Sequence, residues 1–120
     1  MPCDPSAPKL ARDALRAVPE LAPMLDDLLV IVSELVTNSV MHSGCSPDES
    51  IILHATSDGR RIRIAVDDPG RSDLIPQTPP VPPPHGGGLG LRLVDGLAHR
   101  WGVDRPEGCR VWAELPAVCG

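Results

Sequence analysis

The chain has 120 residues, a formal net charge of −5 and 42% hydrophobic residues, which suits one globular domain and is too short for two. It has no Phe or Tyr and only Trp101 and Trp112, so the core must be built from Leu, Val, Ile and Ala, and the basic stripe with interleaved aromatics of a nucleic-acid binder is missing. Lys9 is the single lysine, which excludes a Walker-type phosphate loop, and no apolar run reaches the roughly 18 residues of a membrane span.

Residues 1–8 (MPCDPSAP) are rich in proline and small side chains and are expected to form a poorly ordered tail, with residues 9–117 as one domain. The tail lacks the basic stretch and apolar run of a signal peptide, so the expectation is a soluble cytoplasmic protein. Cys3, Cys45, Cys109 and Cys119 show no CxxC spacing and are expected to be reduced thiols; a metal site from Cys45 and His42 lacks a second ligand pair.

Pro8 suits the first turn of a helix that runs to about Val18 and stops at Pro19. A second helix is predicted from Glu20 or Pro23 to about Ser43, with Gly44 tolerating the left-handed backbone that follows. The runs Ile51–Thr56 and Arg61–Val66 read as antiparallel strands joined at Ser57-Asp58-Gly59-Arg60, with Ile62, Ile64 and Val66 on one side. From Asp67 to His85 the prolines, including Pro82-Pro83-Pro84, forbid a regular helix or central strand, and so long a loop is usually functional. A third helix is predicted over Leu89–His99, then strands over Trp101–Arg105 and Arg110–Leu115 with a turn at Pro106-Glu107-Gly108. Blocks of helices and strands in this order favour an α+β fold, a two-layer sandwich with helices on one face of a mixed, mainly antiparallel sheet.

Three groups of residues carry chemistry. On the second helix Leu28, Val32, Leu35, Val36 and Val40 form an apolar arc, and Glu34, Asn38 and His42 follow one another at i, i+4, i+8 along its border. Solvated surface residues are the bland reading; the functional reading is a carboxylate and an amide oxygen sharing a hydrated Mg²⁺, or a general base beside an amide that alone holds the metal. Gly86-Gly87-Gly88-Leu89-Gly90-Leu91 is either a hinge or a set of unshielded backbone donors at a helix start, suited to phosphate. Asp68 is either a turn-former or a carboxylate at a strand end that accepts a hydrogen bond from a base amino group. Arg71 and Arg92 flank the loop and the third helix and could meet phosphate or only solvent.

The order ELVTNSVMH, AVDDPG, GGGLGL resembles the N, G1 and G2 boxes of the GHKL ATPase superfamily, and Trp101-Gly102-Val103 with Val111-Trp112-Ala113-Glu114-Leu115 is similar to the short bacterial anti-sigma-factor serine/threonine kinases. The resemblance spans about residues 10–116. It implies the Bergerat α/β sandwich and an ATP·Mg²⁺ site. Glu34 then matches the catalytic base, Asn38 the Mg²⁺ ligand, and His42 a neighbour of the phosphates. Asp68 and Gly70 match the adenine-reading G1 box, Gly86, Gly87, Gly88, Leu89, Gly90 and Leu91 the phosphate-binding G2 box, and residues 71–85 the ATP lid. The implied activity is phosphorylation of a serine on an anti-anti-sigma (STAS-like) partner, with a sigma factor held in alternation. Pro69 interrupts the usual G1 glycines, Arg110 stands near the position of a supporting threonine, and the chain ahead of the first helix is short for the family's first strand, which would leave a sheet edge open to a homodimer. The alternative is a binding module, weak in catalysis or free of nucleotide, that acts by sequestration alone.

Overall fold

The computed structural model describes residues 1–70, 89–104 and 108–117, with positions 42 and 89–92 as backbone only. In chain order these form α1 (Ala7–Arg16), a 3₁₀ segment (Pro19–Met24), α2 (Leu25–His42), β1 (Ile52–Ser57), β2 (Arg61–Asp68), α3 (Leu89–Leu97), β3 (Arg100–Asp104) and β4 (Cys109–Pro116). The strands lie in the order β1-β2-β4-β3, and every pairing among them is antiparallel, so the mixed sheet expected from the sequence reduces to its antiparallel part here.

Alternation in β2 and β4 decides which face is covered. Ile62, Ile64 and Val66 stand opposite Leu115, Ala113 and Val111, and all six are buried on the helix side. Arg63, Asp67, Arg110, Trp112 and Glu114 occupy the opposite, open side and are partly exposed. Residues directly across an antiparallel ladder share a face, so the period-two pattern of RIRIAV fixes the layer order. Leu28, Ile31, Val32, Leu35 and Val36 of α2 close the core from above, each fully buried. α2 is the central helix: it contacts β2 and β4 below and α1 and α3 at its sides. Ala7, Ala11 and Leu15 recur every four residues on α1 and are buried, the two alanines small enough to let the helices approach closely.

Local signals set the boundaries. Pro8 lies in the first turn of α1, and Gly44, just past the cap residue Ser43, has φ +78°. In the β1–β2 hairpin the Asp58 carboxylate accepts the N–H groups of Arg60 and Arg61, both at 2.8 Å, and Gly59 takes φ +87°. Those two amides hold the Asp58 carboxyl below its ordinary range.

Two expectations need correction. Residues 1–8 are not a loose tail: Met1 exchanges backbone hydrogen bonds with Ile51, its ammonium donating at 3.0 Å and its carbonyl accepting at 2.8 Å. The Cys3 N–H donates to the Glu49 carbonyl at 3.0 Å, and Pro2 bridges Ser50 in antiparallel fashion. Backbone groups that a composition argument leaves to water are thus paired along the segment entering β1. Nor are the cysteines all thiols: Cys3 and Cys45 form a disulfide, Cα atoms 6.2 Å apart, while Cys109 is buried and takes no part in it. Metal-type spacing says nothing about two cysteines brought together by the return of the N-terminal segment to the end of α2.

Candidate functional site

Glu34 and Asn38 stand one turn apart on α2, half-buried at the margin of its apolar face. Neither side chain has a hydrogen-bond partner among the described residues. The helix is anchored next to Glu34: the Ser33 hydroxyl donates to the Leu29 carbonyl at 2.6 Å and accepts from Arg12 of α1 at 3.1 Å. His42 is the last residue of α2, and its side chain lies outside the described residues.

Asp68 ends β2, opposite Cys109, on the face that carries Ile62, Ile64 and Val66 and so looks toward the helices. Its Oδ1 accepts the Gly70 N–H at 2.8 Å. Gly70 has φ +62°, a conformation other residues avoid, and a Cβ there would sit 2.6 Å from the Gly108 carbonyl carbon. A Cβ on Gly108 would in turn sit 2.5 Å from the Asp68 carbonyl oxygen. The turn after β2 and the entrance to β4 therefore meet backbone to backbone. Gly108 was not among the sequence candidates, because its proximity to Asp68 follows from the β2–β4 register and from no local motif.

The neighbouring acid behaves differently. Asp67 points to the open face, where Arg110 donates to both its oxygens at 2.6 and 2.8 Å and His54 Nε2 lies 3.0 Å from Oδ2. The Arg110 hydrogen bond is the main reason its carboxyl titrates below the ordinary range; partial burial opposes this and His54 adds to it. Arg110 is accordingly engaged away from the helix side.

The third segment is α3, which contacts α2 and β3. Asp95 of α3 accepts the Trp101 indole N–H at 2.8 Å, tying the helix to β3. Leu89, Gly90 and Leu91 form its first turn, whereas Gly86, Gly87, Gly88 and the lid at 71–85 lie outside the described residues. The acid–amide pair, Asp68 and the first turn of α3 thus belong to three elements on one side of the sheet, with α2 touching the other two.

A family model described as "Histidine kinase-like ATPase domain" matches residues 2–115. The chain belongs to that family. Among solved structures, the histidine kinase domain of a blue-light activated histidine kinase from Erythrobacter litoralis is similar, at 26% identity and a TM-score of 0.56. The similarity covers 79% of this chain and 45% of that one, so the present chain corresponds to less than half of that structure. No curated protein matches significantly. Both findings agree with the α+β architecture and support ATP binding by this histidine kinase-like ATPase domain.

The described residues also suit the metal that accompanies ATP. Asn38 offers a half-buried amide oxygen and Glu34 a carboxylate beside it, the hard oxygen donors that Mg²⁺ takes while keeping several waters. No cluster of three or more His, Cys, Asp or Glu side chains that could hold a metal is present among the described residues. No helix among the described residues is long and apolar enough to cross a membrane.

Proposed function

We propose that this chain is a cytoplasmic ATP·Mg²⁺-dependent regulatory kinase that phosphorylates a serine on an anti-anti-sigma (STAS-like) partner and sequesters a sigma factor. The observation that carries the reading is the half-buried Glu34–Asn38 pair, without a protein hydrogen-bond partner among the described residues, on the central helix of a histidine kinase-like ATPase domain. Polar groups at the edge of a core are normally paired, and an unengaged acid and amide one turn apart are free to serve a ligand.

In this reading Glu34 accepts the hydroxyl proton of the incoming serine as its oxygen attacks the γ-phosphorus and ADP leaves. Asn38 holds Mg²⁺, whose charge offsets that of the triphosphate where other phosphate sites use a lysine. Asp68 accepts the adenine amino group. The glycine-rich stretch 86–91 supplies backbone donors to phosphate.

Glu34→Ala tests it. Phosphoryl transfer to the partner serine should disappear while ATP binding persists, read as labelled phosphate transfer and as a nucleotide-titrated melting curve. ATP at 100 times its dissociation constant should add about 2.7 kcal/mol of stability in both proteins. Transfer that survives the substitution removes Glu34 from the base role. Binding without transfer in the wild type leaves the alternative, a module that acts by sequestration alone.

A further inference from the structure

We propose that Gly108 is a specificity-determining positioning residue, whose bare backbone holds the Asp68 carboxylate in the direction that selects a 6-aminopurine nucleotide over a 6-oxopurine one. The inference rests on the nucleotide reading of Asp68 and extends it to a residue outside the glycine-rich motifs.

The chain of contacts is short. Asp68 Oδ1 is held by the Gly70 N–H at 2.8 Å. Gly70 is held in its left-handed conformation over the Gly108–Cys109 peptide, too close for any side chain on either glycine. Gly108 stands against the Asp68 carbonyl, so the same residue is braced at its main chain and, through Gly70, at its carboxylate. Asp68 and Cys109 are the last pair of the β2–β4 ladder, which anchors this contact to the most buried strands of the sheet.

Direction matters because a carboxylate only accepts hydrogen bonds. An amino group at purine position 6 donates to it; an oxo group there sets oxygen against oxygen. A carboxylate free to swing would discriminate less while still tolerating either base.

Alanine at 108 introduces that steric contact with the smallest possible side chain. The experiment measures ATP, GTP and inorganic triphosphate binding to the wild type and to Gly108→Ala. The expected result is a preference for ATP over GTP that shrinks by about tenfold in the variant, with triphosphate affinity unchanged. An equal loss for all three ligands, or an unchanged ATP:GTP ratio, overturns the proposal, since a general structural role would move them together. Pro69→Gly loosens the same turn without adding an atom; if alanine at 108 unfolds the domain, this variant must lower the ratio or the proposal fails. Should the wild type bind neither nucleotide, the kinase reading fails by itself. The carboxyl ¹³C shift of Asp68, compared between ligand-free wild type and Gly108→Ala, then decides the positioning claim: a moved resonance supports it and an unmoved one overturns it.

Discussion

Asp67 and Arg110 face each other across the β2–β4 ladder and share a two-point ion pair, Nε to Oδ1 at 2.6 Å and Nη2 to Oδ2 at 2.8 Å. The carboxyl of Asp67 is depressed below its ordinary value of 3.8, first by this contact and then by His54. A depressed carboxylate stabilises the fold fully above its unfolded pKa, and the contribution is lost as pH falls through the lower folded value. Asp67→Asn should therefore melt below the wild type at neutral pH, with the gap closing as acid protonates Asp67 in the wild type. Melting temperatures for the two proteins from neutral pH to well below 3.8 check this; a gap that stays constant across the range removes the ion pair as its source.

The Cys3–Cys45 bridge closes a sequence separation of 42 residues and fastens the N-terminal segment to the loop after α2. Restricting the unfolded chain in this way is worth about 2–4 kcal/mol. Reductant should lower the melting temperature of the wild type and hasten proteolysis within residues 1–6, while Cys3→Ala should start from the lowered value and not respond. In a reducing cytoplasm such a bond would be transient and responsive to redox state. Equal melting with and without reductant would show that the bond contributes nothing to stability.

Much of the fold is legible in local patterns. RIRIAV alternates with the period of a half-covered strand, Ser57 to Arg60 spells its hairpin, and the apolar spacing from Leu28 to Val36 marks the face that α2 buries. Glu34 and Asn38 could be found the same way, because a helix turns their spacing into a ridge. What stayed hidden depends on meetings of distant segments. Met1 pairing with Ile51, Cys3 reaching Cys45 and Gly108 touching Asp68 all require the tertiary path. Arg110 near the adenine side was a proximity in sequence; one step along a strand reverses the face, and it pairs with Asp67 instead.

Ile64 lies at the centre of the layer interface, fully buried beneath α2 and opposite Ala113. With no Phe or Tyr available, each branched aliphatic side chain fills a large share of this small core. Ile64→Ala should cost about 2–5 kcal/mol, transfer free energy plus the cavity left behind, and Ile64→Val about 0.5–1.5 kcal/mol. Thr37→Ala, on the exposed side of α2, should stay within about 0.5 kcal/mol of the wild type. Urea titration of the three variants gives the comparison, and similar costs for Ile64→Ala and Thr37→Ala would contradict the assigned layer order.

Asn38 lies one turn beyond Glu34, with its amide half-buried and no side-chain partner among the described residues. A single neutral oxygen donor suits a cation that keeps most of its water and takes further ligands from phosphate. ATP affinity in the wild type should therefore rise when Mg²⁺ replaces chelator, and Asn38→Ala should reduce that gain at least about tenfold, a loss that even an outer-shell partner of a metal can cause. Affinity measured in chelator should barely change, because the amide acts through the cation and not on the nucleotide. Calorimetric titrations of both proteins, with and without Mg²⁺, separate the two terms. An Mg²⁺ gain of equal size in both proteins would remove Asn38 as the ligand and leave it a polar residue at the border of the helix.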